Sequence, residues 1–117
     1  MKIEGNTAAP VFAAPVFAAP VFAALGDPTR LGIVSRLSAS GPLSTMSLTS
    51  ATVMSRQAVT KHLQVLEQSG ILLSRRAGRD RVWELQTARC REVSSYLAAI
   101  SEEWDASIER LRRFVEG

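Results

Sequence analysis

Residues 55–70 read SRQAVTKHLQVLEQSG. This is one amphipathic helix with a start, an apolar stripe, a polar face and a stop. Ser55 suits the N-cap, where its hydroxyl can accept a hydrogen bond from a free N–H of the first turn. Ala58, Val59, Leu63 and Leu66 recur at helical spacing and form the stripe that is to be buried. Gly70 supplies the left-handed residue that ends a helix. The opposite face carries Arg56, Gln57, Thr60, Lys61 and Gln64, whose donors match base edges and phosphates of a major groove.

The segment that follows, ILLSRR, AGRD and RVWELQ, reads as a short β-hairpin with Arg75, Arg76, Arg79 and Arg81 at or near its tip. Gly78 gives the turn its freedom. Trp83 alternates with Leu85 and should point inward. A groove-reading helix followed by a basic hairpin is the layout of a winged helix-turn-helix, mainly α with a small β-hairpin. Either half alone has a bland explanation. Most helices have a solvated face, and arginines can keep an edge hairpin soluble. Together, in this order, they predict contact with double-stranded DNA. Arg56 and Gln57, in the first turn, would reach bases, since arginine pairs with guanine and glutamine with adenine. Ser55 and Lys61 would hold phosphates, and Thr60 shares their face. His62, beside apolar Leu63, would pack or touch a phosphate. Arg79 would line a minor groove.

Charge follows the same division. Residues 55–91 hold eight basic and three acidic side chains, whereas residues 92–117 hold three basic and six acidic. The basic half would face a polyanion and the acidic half would face away.

Upstream, Asp27-Pro28-Thr29-Arg30 is a helix start, with Asp27 as cap and Pro28 at the first position. Leu31, Val34 and Leu37 would form its stripe, and Gly41-Pro42 would stop it near Ser40. Leu43 could begin a very short strand. Residues 45–52 suggest a short helix with Leu48 and Ala51 inward, and Val53-Met54 a turn. Downstream, Thr87 could cap a helix over residues 88–115. Its apolar positions Val93, Leu97, Ile100, Trp104, Ile108, Leu111 and Val115 are spaced by threes and fours, a near-heptad seam suited to lengthwise packing on another helix. The winged unit could absorb the near end. Trp104, Ile108, Leu111 and Phe114 would bury against a second copy, and such a dimer presents two reading helices to two half-sites. Cys90 falls on the same seam and reads as core.

Residues 9–23 repeat the unit APVFA three times. An α-helix turns about 100° per residue, so Phe12, Phe17 and Phe22 cannot share a face. Pro15 and Pro20 would break one long helix. Short turns are expected instead, with Pro20 at the first helical position and with Phe22 and Phe17 packing on the last helix near the seam. The organisation is therefore an N-terminal extension, residues 1–19, whose first nine residues read as disordered, then one domain, residues 20–117.

The single cysteine excludes an intrachain disulfide and any cysteine-rich zinc site, and the single histidine excludes most histidine-based clusters. No cofactor motif and no catalytic constellation is visible. Residues 7–25 are uncharged, but three prolines interrupt them and Glu4 precedes them, which does not fit a signal peptide. The expectation is a cytoplasmic, non-enzymatic protein with no membrane partner. The alternative is a protein-interaction module whose basic face binds an acidic protein.

VFAALGDPTRLGIVSRL, MSRQAVTKHLQVLEQSGIL and RRAGRDRVWEL resemble the ArsR-type (arsenic-repressor-like) transcriptional regulators from about Val21 to the C-terminus. The resemblance implies a homodimeric repressor that dimerises through its first and last helices. It places Phe22, Leu97, Ile100, Trp104, Ile108 and Leu111 at the dimer interface. It also implies DNA contacts from the recognition helix and the wing. Two departures stand out. Many members carry metal-binding cysteines near the short helix before the recognition helix, where this chain has STMSLTSATVM, and others carry histidine and acidic ligands on the last helix, which here has no histidine. Metal sensing at either place is not expected. The motif's turn usually holds glycine where this chain has Val53, and a β-branched residue resists positive φ, so a reshaped or strained turn is expected.

Overall fold

The computed structural model describes residues 13–116. Phe12 and the expected disorder of residues 1–9 lie outside them. Five helices and three strands follow in the order α1 (Ala18–Leu25), α2 (Pro28–Ser40), β1 (Leu43–Ser44), α3 (Thr45–Ser50), α4 (Arg56–Gln68), β2 (Leu72–Ala77), β3 (Asp80–Leu85) and α5 (Thr87–Glu116). The expected hairpin is β2–β3, and β1 adds a third strand to give an antiparallel sheet of order β1-β3-β2. Leu43 pairs with Trp83 and Ser44 with Val82.

Local signals set most boundaries. Asp27 Oδ2 accepts the Arg30 N–H at 3.0 Å and Pro28 opens α2. Ser44 caps α3 through the Ser47 N–H, and Ser55 caps α4 through the Ala58 N–H at 3.1 Å. Gly41 ends α2 at φ 82°, and Gly70 follows α4 at φ 88°. A Cβ at Gly70 would lie 3.1 Å from Arg89 Nε and press on that side chain, but it is the positive φ that calls for glycine there. Four details differ from expectation. Leu31 is half exposed, and Ile33 with Leu37 forms the buried face of α2, because two residues turn the helix by about 200°. Ala51 is exposed at the C-cap of α3. Gln86, not Thr87, caps α5, its Oε1 accepting the Arg89 N–H at 3.0 Å. Pro20 is the third residue of α1, not the first, a position whose N–H is equally free of helical partners.

The turn between α3 and α4 closes with polar help. Thr52 Oγ1 accepts the Met54 N–H at 3.3 Å, and Val53 stands wholly in solvent. The core lies between the helices and the sheet, with Val21, Leu63, Leu66, Leu72 and Trp83 almost completely buried. Trp83 Nε1–H donates to Thr45 Oγ1 at 2.9 Å, which ties the wing to the first residue of α3. Cys90 is half-buried against this core, and burial pushes its thiol up from the ordinary cysteine range.

The repeat units differ in use. In the third, Val21 is buried and the Phe22 ring lies 6.2 Å from Tyr96 of α5. In the second, Phe17 meets Tyr96 edge-on at 6.3 Å and the Arg89 guanidinium lies over the Phe17 ring at 5.3 Å. Phe17 and Phe22 thus both pack on the last helix, and α1 begins two residues inside the expected extension. Because the units are identical, deleting residues 10–14 puts Ala8 and Ala9 where Ala13 and Ala14 stand and leaves every residue from Pro15 onward with the same neighbours. Deleting residues 10–19 instead puts Thr7 where Phe17 stands. The first deletion should leave the melting temperature unchanged. The second should cost about 1–2 kcal/mol from a half-buried ring and its aromatic pair, a fall of several degrees in a thermal melt. Equal losses would assign the first copy a structural part.

Candidate nucleic-acid interface

The buried stripe of α4, Val59, Leu63 and Leu66, fixes the helix's orientation. Its other side presents Arg56, Gln57, Lys61 and Gln64 exposed and Thr60 half-buried, and these five line one shallow surface groove. The Ser55 oxygen is occupied as acceptor by its cap bond, which leaves the hydroxyl proton free to donate. Ala58 is half-buried at the edge of the stripe.

Of the two places expected for His62, packing and a phosphate contact, the structure shows the first. The ring is turned toward the start of α2, with Nδ1 3.2 Å from Arg30 Nη1 and 3.8 Å from Asp27 Oδ2. Arg30 can only donate, so in that contact Nδ1 serves as the acceptor. One residue past Lys61, it lies about 100° around the helix, which carries it out of the exposed row.

The wing arginines divide by strand geometry. Arg76 faces Arg81 across the β2–β3 ladder, and Arg75 faces Val82. Side chains alternate along a strand, so Arg76 and Arg81 share the face of Leu72 and Trp83, and Arg75 takes the other. Arg79 is exposed in the two-residue turn with Gly78. Like charges directly opposite one another are destabilising, so the Arg76–Arg81 pair carries a cost that a bound anion would relieve. Arg81 Nε also donates to Ser74 Oγ at 3.1 Å.

Asp80 is a site residue that the sequence reading passed over. Its Oδ1 accepts from Arg56 Nη2 at 3.0 Å and from the Arg81 N–H at 2.7 Å, and its Oδ2 accepts from the Met46 N–H at 3.0 Å. Partial burial works to raise its pKa. The Arg81 and Met46 N–H donors, the Thr45 hydroxyl and the Arg56 charge outweigh that and hold it below the ordinary aspartate range. The contact brings the first turn of α4 beside the turn of the wing. The signal was present as the one acidic residue among RRAGRDR, but nothing in the sequence told which basic residue it meets.

On α5, Val93 is buried and Ile100 half-buried, whereas Leu97, Trp104, Ile108 and Leu111 are 47%, 68%, 58% and 62% exposed. Phe114 and Val115 extend the exposed apolar row. Phe22 is engaged in part by its own chain's Tyr96. Among the described residues no three His, Cys, Asp or Glu side chains are grouped as metal ligands, and no helix is long and apolar enough to cross a membrane.

Residues 25–75 match a family described as a helix-turn-helix domain. Over 92 residues the chain is 34% identical to the arsenical resistance operon repressor of Escherichia coli (strain K12), covering 78% of this chain and 75% of that protein. The chain belongs to the ArsR family. An ArsR-like transcriptional regulator from Rhodococcus sp. RHA1 superposes with a TM-score of 0.66 at 33% identity, over 84% of this chain and 92% of that one. The homodimeric winged helix-turn-helix DNA-binding domain of a possible ArsR-family regulator from Mycobacterium bovis shares the fold, with a TM-score of 0.60 at 24% identity over 74% and 80% of the two chains. The ArsR-family fold is thus mostly helical with a small antiparallel sheet, and the chain is a DNA-binding transcriptional regulator.

Proposed function

We propose that this chain is a cytoplasmic repressor that binds an inverted-repeat operator as a twofold homodimer and performs no catalysis. Each protomer lays α4 in a major groove. Arg56 and Gln57 read base edges, while Ser55, Thr60 and Lys61 hold phosphates. The wing arginines follow the backbone, with Arg79 at the minor groove. The observation that carries this reading is the 3.0 Å contact between Arg56 and Asp80, which unites the two basic surfaces in one. The dimer is supported by the exposed apolar row of α5 and by the homodimeric relative of the same fold. The signal that releases the repressor is something other than a metal held at the family's cysteine positions, since the chain's only cysteine is Cys90 in α5.

Selection from a random DNA pool tests the reading and should recover an inverted repeat. On that operator Arg56→Ala or Gln57→Ala should relax the preference at particular base pairs and cost roughly 1–3 kcal/mol per lost base contact. Lys61→Ala should weaken all sequences about equally. Altered preference in the Lys61 variant alone would mean that α4 is docked differently.

A further inference from the structure

Asp80 places a negative charge in the surface proposed to face DNA, where it repels phosphates. An ion pair with a side chain as exposed as Arg56, 50% accessible, adds little to stability. The ion pair itself is therefore not a stabilising device, although the carboxylate's bonds to the Met46 and Arg81 N–H groups are. Its bonding suggests another use. Two backbone N–H groups, Met46 at the second residue of α3 and Arg81 in β3, fix the carboxylate at 3.0 and 2.7 Å. It is an anchored acceptor, and Arg56 is the mobile partner. The bond to it uses Nη2, which leaves the rest of the planar donor fork for another acceptor.

We infer that Asp80 is a specificity-positioning residue, which holds the Arg56 guanidinium in one orientation so that its free edge meets guanine O6 and N7 in the major groove. The inference deepens the proposed function and rests on it. An unsupported arginine samples many rotamers and can satisfy itself on any phosphate. A guanidinium tethered by a fixed carboxylate has its plane set before DNA arrives, and the nearby negative charge disfavours the phosphate alternative. Bidentate reading requires that planar alignment.

The test measures affinities of the full chain for its selected operator and for operators altered at single base pairs. The variants are Asp80→Asn, Arg56→Ala and the double variant. Asp80→Asn should reduce discrimination at one base pair per half-site at least fivefold, the lower end for one bidentate contact. It should bind unrelated DNA as well as the parent or better. Arg56→Ala should lose discrimination at that same pair, and adding Asp80→Asn to it should remove no more. Tighter binding by Asp80→Asn with discrimination intact would overturn the inference and make Asp80 only a brake. Discrimination lost further in the Arg56→Ala background would overturn it too, because Asp80 would then act by another route. A parent chain that selects no DNA sequence would overturn the proposed function and this inference with it, whereas a selective parent with an unaffected Asp80→Asn variant overturns this inference alone.

Discussion

Trp104→Ala should convert the protein from dimer to monomer at micromolar concentration and weaken operator binding by about a hundredfold or more. The residue lies on the last helix past the point where the chain's own core ends. Val93 is the last buried position, and Trp104 is 68% exposed in the single chain. Its surroundings on the same face, Ile100, Ile108 and Leu111, continue the seam at three- and four-residue steps. If a second copy covers this row, removing the indole forfeits about 3 kcal/mol or more, in the range for truncating a buried tryptophan, and about 1.4 kcal/mol is tenfold in affinity. Because so little of the indole touches its own chain, the fold of each protomer should survive. Sedimentation velocity separates the two effects: a monomer with an intact circular dichroism spectrum is the expected outcome, and an unchanged dimer would place Trp104 outside the interface.

The second large effect is on salt. Lys61, Arg75, Arg76, Arg79 and Arg81 give each protomer five exposed cations on the helix and wing. A dimer that neutralises roughly six to ten phosphates with them should lose about 10³–10⁵ in affinity between 50 and 200 mM salt through counterion release. The slope of log affinity against log salt measures this directly. Lys61→Ala, present twice per dimer, should reduce that slope by about two. A slope near zero would mean that these side chains are a solubilising surface and that recognition lies elsewhere.

The reading helix was legible because several local signals agreed on it. The Ser55 cap, the Val59–Leu63–Leu66 stripe and Gly70 each act within one helix, with no knowledge of the rest of the chain. The hairpin was legible for a similar reason, since its alternation and its turn glycine are adjacent in sequence. What failed needed a partner from far away. Leu31 and Ile33 are equally apolar, and only the position of the sheet and α4 decides which side of α2 is covered. His62 was left between packing and a phosphate contact, because the groups it packs on, Asp27 and Arg30, lie more than thirty residues upstream. Asp80 was invisible as a site residue because its meaning lies in Met46 and Arg56, one on each helix of the reading motif. Even Gln86 as a cap depended on chain geometry: its N–H is held by the Ile71 carbonyl at 2.9 Å, which sets the strand-to-helix corner and aims its amide at α5.

The bond from Trp83 to Thr45 has a bearing on which partner must bend. It is buried and joins the wing to α3, while the β1–β3 pairing repeats the link one residue earlier. With α4 packed on α3, helices and wing are joined at the base like a caliper, and a joint that holds in the free protein would leave little ordering entropy to be spent when DNA arrives. A caliper cannot adjust to a groove that is too wide or too narrow, so the duplex has to. Sites whose central steps yield easily would then be favoured over stiff ones even at base pairs that no side chain touches. Part of the operator's sequence would be written in flexibility, as a mechanical property of the DNA.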